Sequence, residues 1–85
     1  MTIYFYSHAC PRCRQDRLVM QVDPRDGRLF LHCGECEMCW WHPSDVHRKG
    51  AGFLSLTEDF ESENPTWGQV EEAGWAAYVL GRSEV

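Results

Sequence analysis

Two pairs of cysteines with the same spacing place the strongest constraint on how this chain can fold. Cys10-Pro-Arg-Cys13 and Cys33-Gly-Glu-Cys36 are both Cys-x-x-Cys units, and nineteen residues separate them. Within each unit a tight turn directs both thiolates, and nearby backbone N–H groups, toward one point. If the chain between the units doubles back, four thiolates meet around one ion, which is the ligand set of a structural zinc site. The sequence therefore predicts that Cys10, Cys13, Cys33 and Cys36 bind a single metal ion.

The segment between the two cysteine pairs has the pattern of a β-hairpin. Residues 17–22 and 28–33 are short runs of apolar and β-branched side chains, and "DPRDG" at 23–27 joins them. Pro24 presets φ at a turn position and Gly27 accepts a positive φ. We expect this hairpin to bring the second cysteine pair beside the first.

Further strands are expected at residues 2–7 and 37–41, where β-branched and aromatic side chains are frequent. Residues 53–56 form either a short strand or an extended packing segment. Between them, Ser44 or Asp45 is expected to cap one helical turn. Most of the regular structure is therefore predicted in the first half of the chain.

A helix is predicted over about residues 67–80. Thr66 is its expected N-cap, and Gln69 three residues later completes a capping box. Gly81 is the expected stop. Apolar residues recur between these ends at near-helical spacing: Trp67, Val70, Ala73, Ala77 and Leu80.

The cysteine pairs and the hairpin together resemble the zinc-ribbon, or rubredoxin-like, superfamily. The resemblance rests on "CPRC", "DPRDG" and "CGEC" and covers roughly residues 3–42. In that family a glycine commonly follows each cysteine pair, whereas Arg14 and Glu37 stand there in this chain. We therefore predict an α+β fold: a small antiparallel zinc ribbon of about 3–4 short strands with a C-terminal α-helix packed on it. Membership would imply a fold and leave the task open.

Eighty-five residues are enough for a single small domain. We expect residues 1–42 to form the ribbon and 43–85 an acidic C-terminal extension that carries the helix. A chain of this size gains only a few kcal/mol from apolar burial. Apparent zinc binding of about 10–16 kcal/mol would exceed that gain, so metal binding and folding are expected to be one equilibrium.

The remaining thiol, Cys39, has more than one interpretation. Cys33, Cys36 and Cys39 resemble part of an iron–sulfur run, but the trailing Cys-Pro of that motif is missing. Cys39, His42 and His47 would supply at most three ligands to a second site. We favour a small residue on the strand that leaves the second cysteine pair. The predicted cofactor is one structural Zn²⁺, with iron at the same four thiolates as the alternative.

Charge is unevenly distributed along the chain. Residues 1–49 carry seven Lys and Arg against six Asp and Glu, and residues 50–85 carry only Arg82 against seven acids. The formal charges of the two parts, +1 and -6, sum to the -5 of the whole chain. Neither part offers the basic face that phosphate binding requires. Nucleic acid is therefore not an expected partner, whereas a protein is.

Acidic side chains of the C-terminal extension, together with three aromatic side chains, are the candidates for such a protein-binding surface. The predicted partner-binding residues are Trp41, Trp75, Tyr78, Glu58, Asp59, Glu61 and Glu63. We find no nucleophile–base pair, Gly-rich phosphate loop or open metal shell, so we do not expect an enzyme.

The leading hypothesis is a non-enzymatic zinc-binding interaction module. One form of it is an acidic inhibitor, or immunity protein, of a basic partner such as a nuclease toxin. A transcription-type ribbon that contacts nucleic acid or RNA polymerase is an alternative, although Asp23 and Asp26 at the hairpin tip are not adjacent. A rubredoxin-like electron carrier is a further alternative.

A cytoplasmic location is expected from three features of the sequence. The first residues lack a basic start followed by a long apolar run. No stretch approaches the roughly 20 apolar residues that cross a bilayer. The odd number of cysteines, five, does not suit a disulfide framework.

Overall fold

The protein is described by a computed structural model that covers residues 2–48, 50–54 and 62–84. Six strands form one antiparallel sheet in the order β5-β4-β3-β2-β1-β6. The elements in chain order are β1 (Thr2–Ser7), β2 (Leu18–Asp23), β3 (Arg28–Cys33), β4 (Met38–Trp40), β5 (Phe53–Leu54), α1 (Trp67–Glu72) and β6 (Gly81–Glu84). Two 3-10 turns, Pro43–Asp45 and Ala76–Tyr78, complete the regular structure of these residues. None of the helices that the structure describes is both long and apolar enough to span a membrane.

The hairpin predicted between the cysteine pairs is confirmed. β2 and β3 pair in continuous register from Leu18↔Cys33 to Asp23↔Arg28. The Gly27 N–H donates to the Asp23 carbonyl oxygen at 2.8 Å, and Gly27 has the expected positive φ of 75°. The register places the end of β3, and with it the second cysteine pair, next to the start of β2.

The main core lies on one face of the sheet, where alternate residues of the hairpin point inward. Val70 of α1 and Trp75 close this face from above, and both are buried. The buried side chains that the sheet contributes here include Tyr4, Leu18, Met20, Val22, Leu29, Leu31 and Trp40. On the other face Phe30 is covered by Trp41, with ring centroids 5.7 Å apart. A small domain thus buries apolar surface on both sides of one sheet.

β1 lies in the sheet between β2 and β6. It pairs with β6 from Thr2↔Glu84 to Phe5↔Gly81. A Cβ atom at Gly81 would lie 2.8 Å from the Phe5 ring, so the ring packs directly on this glycine and would have to shift to admit a side chain. Gly81–Glu84 therefore forms an edge strand of the sheet.

The helix begins as predicted but is much shorter. The Gln69 N–H donates to the Thr66 hydroxyl at 3.2 Å, and the Thr66 N–H donates to the Gln69 side-chain oxygen at 2.8 Å. This is the expected capping box. The helix spans Trp67–Glu72 rather than residues 67–80.

The early end of α1 has a local cause. Gly74 adopts a φ of +79°, which is the left-handed conformation that follows many helix ends. The Trp75 N–H then bonds the Val70 carbonyl at 2.9 Å and the Gly74 N–H bonds the Glu71 carbonyl at 3.0 Å. These two bonds form a Schellman motif. Gly81, the predicted stop, instead begins β6.

The predicted fold class needs a corresponding correction. The described chain is mostly β, a six-stranded sheet with one short helix, rather than a ribbon of about 3–4 strands with a long C-terminal helix. The 3-10 turn at Pro43–Asp45 is capped by His42, whose Nδ1 accepts from the Ser44 N–H at 3.0 Å, and not by Ser44 or Asp45. Of the segment predicted at 53–56, Phe53 and Leu54 form a strand, and the rest lies outside the described residues.

Candidate metal centre

The first cysteine pair lies on a tight loop between β1 and β2. The Arg14 N–H donates to the Cys10 carbonyl oxygen at 2.9 Å, and the Arg12 N–H approaches the Cys10 sulfur at 3.4 Å. Arg14 has a φ of 58°. This conformation costs a residue with a side chain about 1–2 kcal/mol, so the rest of the loop must hold it.

The second cysteine pair repeats this geometry between β3 and β4. Cys33 is the last residue of β3, and the Glu37 N–H donates to its carbonyl oxygen at 2.9 Å. Glu37 has a φ of 63°. Arg14 and Glu37 therefore adopt, without glycine, the left-handed turn that glycine commonly forms in zinc-ribbon loops. The two loops are equivalent in backbone shape.

The four sulfur atoms of the two loops converge. All of them lie within 4.8 Å of one another. The Sγ atoms of Cys10 and Cys36 are 3.7 Å apart, and those of Cys13 and Cys33 are 3.5 Å apart. A tetrahedral ion with Zn–S distances of about 2.3 Å separates its sulfur ligands by about 3.8 Å. The observed spacing therefore fits a tetrahedral thiolate site, and none of these cysteines forms a disulfide.

The electrostatics of the thiols depend on burial and on backbone N–H groups. The Gln15 N–H, bonded to the Cys13 sulfur, lowers the pKa of that thiol to about 7. Burial raises the pKa of Cys33 to about 12, although the N–H groups of Cys36 and Glu35 act against it. Burial also raises the pKa of Cys36. Buried thiols of this kind ionise when a cation is present to compensate the charge, which is what a metal ion supplies.

The cluster lies at the end of the sheet where β1 and β3 finish. Cys10 and Cys33 are buried, whereas Cys13 and Cys36 are half-buried. Four thiolates would fill a tetrahedral shell and leave no position for water or a substrate, so the arrangement suits a structural ion. In this role the metal would tie the loop after β1 to the loop after β3.

Cys39 does not join this cluster. It is fully buried on β4, and its sulfur lies 4.0 Å from the Glu37 carbonyl oxygen. His42 packs edge-on against Trp75, with ring centroids 5.7 Å apart. Within the part of the chain that the structure describes, only Cys10, Cys13, Cys33 and Cys36 form a group suited to a metal ion. A second site built from Cys39, His42 and His47 is therefore not found there.

The aromatic residues predicted to contact a partner differ in exposure. Trp75 is only 4% exposed and lies in the core, which leaves it no free face for a partner. Trp41 is half-buried between Phe53, stacked at 5.0 Å, and the Arg28 guanidinium, which lies 4.0 Å from the ring centroid. Tyr78 is 36% exposed. Of the aromatic predictions, Tyr78 is thus the most accessible.

The acidic predictions are only partly described. Glu63 is exposed. Glu58, Asp59 and Glu61 lie outside the described residues.

Sequence reasoning missed Trp67, which is 41% exposed although the predicted helix assigned it to the apolar stripe. Gly74 was the available signal. The helix ends at Glu72, and of the apolar positions assigned to the stripe only Val70 is buried.

No protein-family model, curated protein or solved structure significantly matches this chain. The resemblance to zinc ribbons therefore depends on the two loops and their sulfur atoms. Cys10, Cys13, Cys33 and Cys36 are positioned to bind one metal ion, in an arrangement consistent with a zinc-ribbon-like site.

Proposed function

We propose that this protein is a zinc-binding, non-enzymatic module that interacts with another protein. The observation that carries the metal part is the convergence of four cysteine sulfurs within 4.8 Å of one another, from two loops of equal shape. Zinc is the ion that closed four-cysteine sites most often hold for structural purposes. Iron suits the same ligands, so the identity of the metal is tested below.

The absence of an open coordination position supports a non-enzymatic role. A catalytic zinc keeps one position for water or substrate, and four thiolates would occupy all of them. The two acids at the hairpin tip, Asp23 and Asp26, also lie in different environments, unlike the adjacent acids of ribbons that act on nucleic acid. Asp23 is buried and bonded through its carboxylate to Arg25 at 2.9 Å, whereas Asp26 is exposed and accepts from the Arg28 N–H.

A protein partner is supported by exposed apolar side chains in an acidic part of the chain. Among the described residues, the exposed large apolar side chains are Leu54, Trp67, Tyr78 and Leu80. Residues 50–85 carry a formal charge of -6. This combination favours a basic partner, and a protein inhibitor of the immunity type is the narrower form of the proposal.

The proposal is tested by purifying the tagged full-length chain from its native host and analysing metal and co-purifying proteins in the same sample. We expect about one zinc per chain, a colourless sample and one stoichiometric protein partner. A red sample with one iron would favour electron transfer instead. A sample with zinc but without any stoichiometric protein would contradict the interaction role.

A further inference from the structure

A cleft of about 750 Å³ opens between β1 and the segment that precedes α1. Its walls are Thr2, Tyr4 and Gln21 of the sheet and residues 62–67. Thr2 and Tyr4 lie in the first half of β1, whereas the cysteine cluster follows its last residue. The cleft and the candidate metal centre are thus at opposite ends of the same strand.

The cleft lies where β2 stops pairing with β1 and pairs with the segment before α1 instead. β1 pairs with β2 at Phe5↔Val19 and Ser7↔Leu18. Farther along β2, Val22 exchanges two backbone hydrogen bonds with Glu63, at 2.9 and 3.0 Å. The Gln21 amide also donates to Asn64 Oδ1 at 2.6 Å. The backbone of this wall is fixed by these bonds, while the Glu63 side chain remains exposed.

Two aromatic rings form the other wall. Tyr4 and Trp67 have ring centroids 5.4 Å apart and planes inclined at 46°. Tyr4 is buried, at 6% exposure, and so supports Trp67, which is 41% exposed. Trp67 therefore lines the cleft with a partly exposed indole that packs against a buried ring.

Two aromatic rings, Phe5 and Trp41, have a guanidinium group over them, but no such contact is found for Trp67 among the described residues. Between described residues, guanidinium groups lie over Phe5, from Arg17 at 4.9 Å, and over Trp41, from Arg28 at 4.0 Å. Arg82, the only Lys or Arg of residues 50–85, lines the neighbouring cleft on the other side of the Tyr4–Trp67 pair. The cleft that Glu63 and Trp67 line has no Lys or Arg among its described lining residues.

Tryptophan is the aromatic side chain that binds cations best, and a nearby carboxylate adds charge attraction. We propose that this cleft binds a lysine or arginine side chain of a partner protein, with Trp67 supplying the aromatic face and Glu63 the negative charge. This inference rests on the proposed interaction function and names the chemistry of the partner.

The test uses the full-length, zinc-loaded, ¹⁵N-labelled chain and NMR. Its four tryptophans give four separate indole N–H signals. The probe is a capped Gly-Ser peptide with one arginine, and the matched peptide carries neutral citrulline. We expect saturable shifts at the Trp67 indole and at the amides of residues 62–66, none at the Trp75 indole, and several-fold weaker binding in about 0.3 M salt.

Two variants of the cleft and one matched control complete the test. Trp67→Leu keeps an apolar side chain but removes the π face, and we expect it to weaken binding roughly 2- to 30-fold. Glu63→Gln removes the charge without changing the backbone pairing to Val22, and we expect a loss of about 1.5- to 5-fold. Glu71→Gln removes one exposed charge outside the cleft and is expected to change binding less than Glu63→Gln.

Equal shifts with the citrulline peptide, shifts that do not saturate, or equal effects of the Glu63 and Glu71 variants would each overturn the inference. Its failure can be told apart from failure of the proposed function. A native protein partner without arginine binding at Trp67 would refute the cleft and leave the interaction role. Arginine binding at Trp67 without any native protein partner would refute the interaction role and leave the cation-binding cleft.

Discussion

The contribution of the metal to stability can be tested with two buried cysteines that differ in one respect. Cys33 and Cys39 are both 0% exposed and lie on neighbouring strands. Cys33 belongs to the sulfur cluster and Cys39 does not. Replacing each by alanine removes the same atom from the interior, so the difference between the two variants reports the metal.

The expected difference is large compared with the stability of a small domain. At about 0.05–0.15 kcal/mol per residue, a chain of this length has roughly 4–13 kcal/mol in total. Apparent zinc binding is about 10–16 kcal/mol, and even an equal quarter share per ligand is about 2.5–4 kcal/mol. Cys39→Ala removes buried contacts and the weak hydrogen bond from the Cys39 thiol to the Glu37 carbonyl oxygen, which costs about 1 kcal/mol and lowers the Tm by about 4–8 °C. Cys33→Ala should therefore lose both its metal and its cooperative melting transition.

The assay combines metal content by mass spectrometry with thermal melts followed by circular dichroism, with and without a strong chelator. We expect about one zinc per chain in the wild type and in Cys39→Ala, and little in Cys33→Ala. The chelator should abolish the transition of the first two proteins. A Cys33→Ala protein that keeps both metal and Tm, or a wild type whose melt ignores the chelator, would refute the assignment of a structural ion.

Three further changes test the fold. Gly74→Ala should lower the free energy of unfolding by about 1–2 kcal/mol, because Gly74 has a φ of +79°. Gly68→Ala within α1 should raise the free energy of unfolding by about 0.5–1 kcal/mol, because alanine favours the helix more than glycine does. Both changes are measured by urea unfolding. Gly81→Ala would bring a methyl group to 2.8 Å from the aromatic ring of β1 and should cost about 1–3 kcal/mol in the same assay. Hydrogen bonds from Arg25 lower the pKa of Asp23 below its ordinary 3.8, so the stability that they add is present above that value and is lost as the pH falls. The stability difference between wild type and Asp23→Asn should therefore shrink as the pH falls from about 6 toward the ordinary pKa of 3.8.

Each of these changes has an outcome that would contradict its reasoning. Equal destabilisation by Gly74→Ala and Gly68→Ala would mean that α1 does not end in a left-handed residue. Full stability of Gly81→Ala would mean that β6 does not approach β1 closely. A stability difference for Asp23→Asn that grows in acid would mean that the protonated carboxyl is the favoured form. Because acid also releases the metal on which folding is expected to depend, wild type and variant are compared only at pH values at which both still bind it.

The parts of the fold that were predictable are those specified by neighbours in sequence. The hairpin from 17 to 33 follows from its apolar runs and from the turn at Pro24 and Gly27. The approach of the two cysteine pairs follows from that hairpin in turn. The capping box at Thr66 is also a local signal. In each case a few residues close together in the chain determine the conformation.

The parts that were missed depend on distant contacts or on one local choice. β6 contains Gly81, Arg82, Ser83 and Glu84, and nothing in this composition indicates a strand; it becomes one because β1 offers a free edge. The sequence predicts a helix that continues past Gly74, because apolar residues recur at helical spacing on both sides of this glycine. Whether a glycine ends a helix or interrupts it depends on the packing of Trp75, which the sequence does not show.

The strand β1 connects the end of the sheet that carries the cysteine cluster to the end that carries the cleft. Both ends share one small core, so they fold and unfold as one unit if the metal is the staple that we propose. Under that condition a shortage of zinc would not lower the affinity of each folded molecule for a partner. It would lower the number of folded molecules that are able to bind, so the cell's zinc supply would set the concentration of functional protein.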